Sequence, residues 1–249
     1  MWGSLTVYAG FLLGLIGLGL VFRPTRWLVG IPRRRALLVA AAGGLLAGLG
    51  LTLPAPERRV ARVETRLDAF APAWQFHEVH ALRVAASPER VYDAIRRVRA
   101  DEIFLFGVLT WIRRGGRALP PSILNAGKRE SLVDVATNSS FVRLADSVPR
   151  ELVIGTVVLA PPRTSGTISP RVFQDHLPPD FALAIMNFLV TPDGAGGSLV
   201  STETRVVANS PATRRRFAVY WRIIYPGSAL IRQMWLRAVR HRAEGPSGM

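Results

Sequence analysis

Cysteine is absent from this 249-residue chain, which excludes disulfides and thiolate metal sites. Lysine is nearly absent: Lys128 stands alone, and arginine supplies the rest of a net charge of +15. That bias, with abundant Ala and Gly, reads as coding composition rather than a built basic patch. The four histidines (His77, His80, His176 and His241) include no helical i, i+4 pair, so no metal site and no cofactor is expected. There is no phosphate-binding loop ending in Gly-Lys-Ser/Thr and no Gly-x-Ser-x-Gly elbow. Acidic residues are missing from the first 56 positions, and no charged side chain precedes Arg23.

What fills those positions is apolar. Leu5–Phe22 and Ala36–Leu53 are two uninterrupted stretches, and neither has a polar face at helical period. As helices each would be about 27 Å long, near the ~30 Å hydrocarbon thickness of a bilayer. The pattern predicts a transmembrane helical hairpin over residues 1–56, with spans at about 5–22 and 36–53. Gly10 and Gly14 in one helix, and Gly44 and Gly48 in the other, have the four-residue spacing that lets backbones approach in lipid. No basic n-region or cleavage site suggests a signal peptide. The intervening stretch carries Arg23, Arg26, Arg33, Arg34 and Arg35. The positive-inside rule puts residues 23–35 in the cytoplasm and the C-terminal domain outside, although Arg58, Arg59, Arg62 and Arg66 pull the other way. The expected location is therefore a cell membrane, crossed twice. Trp2, Tyr8 and Trp27 read as membrane-interface or membrane-facing aromatics.

Pro54-Ala55-Pro56 ends the second span. Residues 57–73 read as a charged juxtamembrane linker, with a partly helical connector as an open alternative, and 74–244 as one soluble domain with a sizeable core. Residues 245–249 read as a disordered tail. Gln75–Ala85 alternates as a strand. Ser87-Pro88-Glu89 opens a helix, with Val91, Ala94, Ile95 and Val98 on one face. Asp101–Ile112 continues as a helix or packed apolar segment, and Arg113–Gly127 as a loop. Strands are predicted over Ser140–Ala145, Glu151–Leu159, Phe181–Val190 and Ser198–Ala208, the last two joined across Asp193–Gly197. Ser210-Pro211 opens a long helix to about Ala243, which Pro226-Gly227 is expected to kink or break. The fold class is thus α+β.

Residues 82–95, Leu-Arg-Val-Ala-Ala-Ser-Pro-Glu-Arg-Val-Tyr-Asp-Ala-Ile, resemble the opening of the START-like or Bet v 1-like (SRPBCC) superfamily. That superfamily includes polyketide cyclases, aromatases and lipid-transfer domains. Ser201–Val206, Arg214–Arg222 and Pro226-Gly-Ser resemble the closing part of one bacterial branch. The resemblance covers about 74–244. It implies a helix-grip domain, a curved antiparallel sheet around a long C-terminal helix, with a hydrophobic cavity between them. The Pro-rich stretch Arg163–Pro179 and the membrane hairpin depart from the minimal fold.

Several side chains could act in such a cavity. Glu78 and His80 share a strand face with Leu82 and Val84, and a carboxylate beside an imidazole can orient a ligand or move protons. Glu203 and Arg205 form a second same-face pair, while Thr202 and Thr204 on the opposite face suit a cavity at least as well. Phe217, Tyr220, Trp221 and Met234 line the long helix. Glu151 reads as a strand-end charge, and His77 as a solvated side chain pointing away from Glu78. Arg33–Arg35 and Arg214–Arg216 lack any nucleic-acid reading motif, so the expected partners are a lipid bilayer and a hydrophobic or amphipathic small molecule. The first expectation is a non-enzymatic, membrane-tethered binding domain, with lipid as one candidate ligand. The alternatives are a cyclase/dehydratase-type enzyme using Glu78 and His80, and a structural protein whose membrane helices bind a protein partner.

Overall fold

The computed structural model describes residues 2–22, 32–118, 122–127, 130–162, 169–174 and 177–245. Arg23, Arg26, Trp27, Lys128, His176 and the tail beyond Gly245 lie outside the described residues. By packing, the chain forms two compact units. One is Met1–Pro56 with Arg215–Tyr225; the other is Glu57–Arg214 with Pro226–Met249.

The first unit is built on α1 (Trp2–Phe22) and α2 (Arg33–Thr52), both long and apolar enough to cross a membrane. They pack through small residues. A Cβ on Gly10 would strike the Gly43 carbonyl and Ala47 backbone, one on Gly17 the Ala36 and Ala40 backbone, and one on Gly43 the Gly10 and Gly14 backbone. The seam therefore steps 3, 7, 10, 14, 17 along α1 and 36, 40, 43, 47, 50 along α2. This alternation of four and three residues averages the 3.5-residue period of left-handed helix pairs. Gly44 and Gly48, expected at the contact, instead face open space. The seam of α2 lies one residue away, at Gly43 and Ala47.

The rest of this unit is the middle of α7 (Pro211–Glu244), which Pro226 does not break. Proline at 226 has no N–H for the carbonyl four residues earlier, that of Arg222. The Tyr8 hydroxyl donates to that carbonyl instead. Arg222 in turn donates to the carbonyls of Leu51 and Leu53, the acceptors that the end of α2 leaves unpaired. Tyr8, expected as a membrane-interface or membrane-facing aromatic, is a hydrogen-bond donor to the helix.

The second unit holds a five-stranded antiparallel sheet in the order β3-β7-β6-β5-β4, with β3 Phe76–Val84, β4 Val142–Ser147, β5 Glu151–Leu159, β6 Ala182–Pro192 and β7 Ser198–Ala208. β6 and β7 form the expected hairpin, closed by Asp193, whose carboxylate accepts from the Ala195 and Gly197 amides. Positive φ at Gly194 and Gly196 explains the glycines there.

One sheet face, with Val84, Ile154, Phe188 and Val200, packs on α4 (Pro88–Arg97) and on Ile231, Trp235 and Val239 of α7. Phe188 and Trp235 meet edge to face with ring centroids 5.0 Å apart, so side chains fill the space beneath the helix at that level. Also in this core is α6 (Leu132–Thr137), a helix between the expected loop Arg113–Gly127 and the expected strand Ser140–Ala145. Its signal was Ser131 three residues before Asp134, whose N–H the Ser131 hydroxyl caps.

The segment 57–73 is more than a linker. It carries β1 (Arg58–Arg59), paired with β2 (Ala73–Trp74), and α3 (Arg66–Phe70), which opens on a Thr65–Asp68 capping box. Leu67 and Ala71 are buried against Val153, Ile185 and Phe173 on the second sheet face. Glu151 secures this segment. Its carboxylate accepts from the Arg66 and Leu67 amides and from Asn187 Nδ2, so it is a buried helix cap rather than an exposed strand end.

Candidate functional site

The registers Glu78↔Thr204 and His80↔Thr202 set the two faces of the sheet, since paired residues share a side. Glu78, His80, Thr202 and Thr204 stand on the α7 side with Leu82, Val84 and Val200. His77, Glu203 and Arg205 stand on the other. The structure therefore separates the two charged pairs that the sequence offers.

On the far face the charges satisfy one another. Arg205 reaches Glu203 Oε1 at 2.6 Å and Asp68 Oδ1 at 2.8 Å, donates to the Ala71 carbonyl at 2.9 Å, and lies 4.1 Å over the Trp74 ring. His77, expected to be solvated, bonds Glu203 at 2.9 Å. Burial pushes the Asp68 carboxyl up, but the Glu64 and Thr65 amides and Arg205 outweigh it and hold it below its ordinary range. Glu203 is lowered likewise: His77 and Arg205 overcome its desolvation. This network clamps the 57–73 segment to the sheet. Glu203 and Arg205 are engaged in that work.

The near face carries a smaller polar cluster in an apolar core. Glu78 is buried, with His80 Nε2 at 2.9 Å from Oε1 and the Ser228 hydroxyl at 2.9 Å from Oε2. A carboxylate only accepts, so in the neutral ring Nε2 carries the proton and Nδ1 presents a lone pair. Arg232, one turn beyond Ser228, reaches Thr202 Oγ1 at 3.5 Å. Burial pulls the Arg232 guanidinium down to about 10; Glu78 opposes that fall and Arg113 adds to it. Trp235 follows on the same stripe of α7. Its indole N–H is buried and has no acceptor among the described residues.

Of the aromatic stripe on α7, Phe217, Tyr220 and Trp221 belong to the hairpin unit, where Phe217 stacks obliquely on Tyr220 and Trp221 at 5.6 and 5.9 Å. Met234 alone of the four lies in the sheet unit. It lines a cleft of about 500 Å³ together with Glu102, Phe104, Arg237, Ala238 and His241. Glu102 is bound by Arg242 at 2.6 and 3.0 Å, a bidentate pair that neutralises its charge. Arg237 has its closest polar contact with Met234 Sδ, at 3.8 Å, and no carboxylate partner among the described residues. The cleft thus combines an apolar floor with a cationic rim. Only Met234 of its lining was expected. Arg237 and His241 follow it at i+3 and i+7 on one helical face, a spacing visible in the sequence but meaningless until Phe104 was placed opposite.

No protein-family model matches the chain, and no curated protein matches it. Among solved structures, that of TTHA0849 from Thermus thermophilus is 11% identical, with 68% of this chain and 97% of that one covered and a TM-score of 0.27.

Proposed function

We propose that this protein is a membrane-anchored, START-like helix-grip domain that binds an amphipathic small molecule carrying negative charge, such as a lipid. The hairpin of α1 and α2 is the anchor. Leu12, Leu15, Leu38, Leu45 and Leu49 on its outer faces are exposed, which suits lipid and not a soluble core. The strand order with α7 across one face supports the helix-grip reading. The arginines of the interhelical stretch favour a cytoplasmic loop and a domain outside; a reporter fused after α7 and active on one side only decides this.

The observation that carries the binding role is the cleft. Phe104, Met234 and Ala238 offer a surface to hydrocarbon, and Arg237 and His241 offer donors to an acidic headgroup. The test is titration of the detergent-purified full chain with a fluorescent long-chain fatty acid. Arg237→Glu and Met234→Trp, which reverse the charge and fill the floor, are expected to abolish saturable binding. Binding unchanged in both variants rejects the cleft.

The Glu78–His80 pair favours a second reading, a cyclase or dehydratase in which Nδ1 of His80 takes a proton and Glu78 holds the ring. That reading requires turnover of a poly-β-keto thioester by the wild type and its loss in His80→Asn.

A further inference from the structure

The sequence stretch before and within α5 (Phe106–Arg113) is apolar on both sides of the helix. Phe106, Leu109 and Thr110 turn inward at i, i+3, i+4. The outward positions should then be polar in a helix that meets only water. They are not: Phe104 is 69% exposed, Val108 55%, Trp111 53% and Ile112 60%. Val108, Trp111 and Ile112 repeat the i, i+3, i+4 spacing on the solvent side. Arg113 and Arg117 follow immediately, both exposed. An outward apolar face with a tryptophan, rimmed by arginine, has the composition of a segment that lies in the headgroup region of a bilayer.

We infer that α5 and the preceding Phe104–Leu105 turn form a second, interfacial membrane contact, one that inserts its outer face into an anionic lipid surface. Three observations select lipid over a protein partner. Only Leu53–Pro56 and Glu57 separate α2 from β1, so this unit is held at high effective concentration near whatever bilayer α2 crosses. The arginine rim complements acidic headgroups. Phe104 belongs both to this face and to the cleft, so an amphipathic ligand could pass from the bilayer to the cleft along one continuous apolar path. The inference rests on the anchor reading of α1 and α2.

The absence of cysteine makes a direct experiment possible. Full-length Val108→Cys, Ile112→Cys, Leu15→Cys and Val79→Cys variants are each labelled with nitrobenzoxadiazole and reconstituted into phosphatidylcholine–phosphatidylglycerol vesicles with and without spin-labelled lipid. All four positions are exposed, so none of the labels displaces core. Probes at 108 and 112 are expected to emit to the blue and to lose most of their emission to the spin-labelled lipid, as at position 15. The probe at 79, on the opposite sheet face, is expected to stay bright and open to aqueous iodide. Lipid quenching at 15 with open, unquenched probes at 108 and 112 overturns the contact and leaves the anchor standing. Probes at 108 and 112 that are shielded from iodide but untouched by lipid mean that a second copy covers the face, and overturn it too. No lipid quenching at 15 removes the anchor and this inference together.

Discussion

Asp68 shows how a single carboxylate ties the 57–73 segment to the sheet. It accepts from two amides of its own helix start and from the buried Arg205, and its pKa is depressed, as is that of Glu203. Depressed carboxyls bind protons more weakly folded than unfolded. Their contribution is therefore complete above the unfolded values near ~4 and disappears as pH falls through the lower folded values. Thermal melting of the detergent-solubilised protein is expected to fall steeply below about pH 4, and Asp68→Asn is expected to lose part of that slope while lowering stability at pH 7. A melting temperature flat from pH 6 to about pH 3 contradicts the clamp. At this scale the sequence was partly legible. Period-2 alternation put Glu78 with His80 and Glu203 with Arg205, each pair on one face of its own strand. It could not say which partners each face would meet, because Asp68, Ala71 and Trp74 lie more than 120 residues before Arg205 in the chain. Glu151 illustrates the same limit, since the two amides it caps lie more than 80 residues away.

At the scale of elements, α7 is the instructive case. The Pro-Gly pair at 226–227 predicts a kink or a break, and the helix runs through it unbroken. What local rules omit is an outside donor for the orphaned Arg222 carbonyl, which Tyr8 supplies from 214 residues away. Tyr8→Phe is expected to destabilise the hairpin unit by about 1–3 kcal/mol, the cost of an unpaired buried acceptor. Pro226→Ala, which restores a helical N–H for that carbonyl, is expected to be nearly neutral on its own and to rescue Tyr8→Phe. Equal melting temperatures for wild type and Tyr8→Phe, or additive losses in the double variant, rule out this account. The hairpin teaches a related lesson. The two apolar helices were legible from hydropathy alone, but not which small residues of α2 meet α1: the contact at Gly43 and Ala47 depends on how α2 is rotated about its axis, which the spacing of glycines leaves open.

For the whole molecule, the order of strand, helices, antiparallel strands and long helix was readable from turn residues and periodicity. The cleft beside α7 was not. Its wall, Phe104, and its floor, Met234 and Ala238, are far apart in the chain and meet only after the sheet has positioned α7. We propose an anchored receptor for an acidic amphiphile. The most direct test is native mass spectrometry of the full chain released gently from membranes, beside Arg237→Glu prepared in the same way. We predict a wild-type species carrying one acidic amphiphile in defined stoichiometry and its loss from the variant. Identical spectra for the two proteins, with no retained small molecule or with the same lipids on both, would contradict the claim.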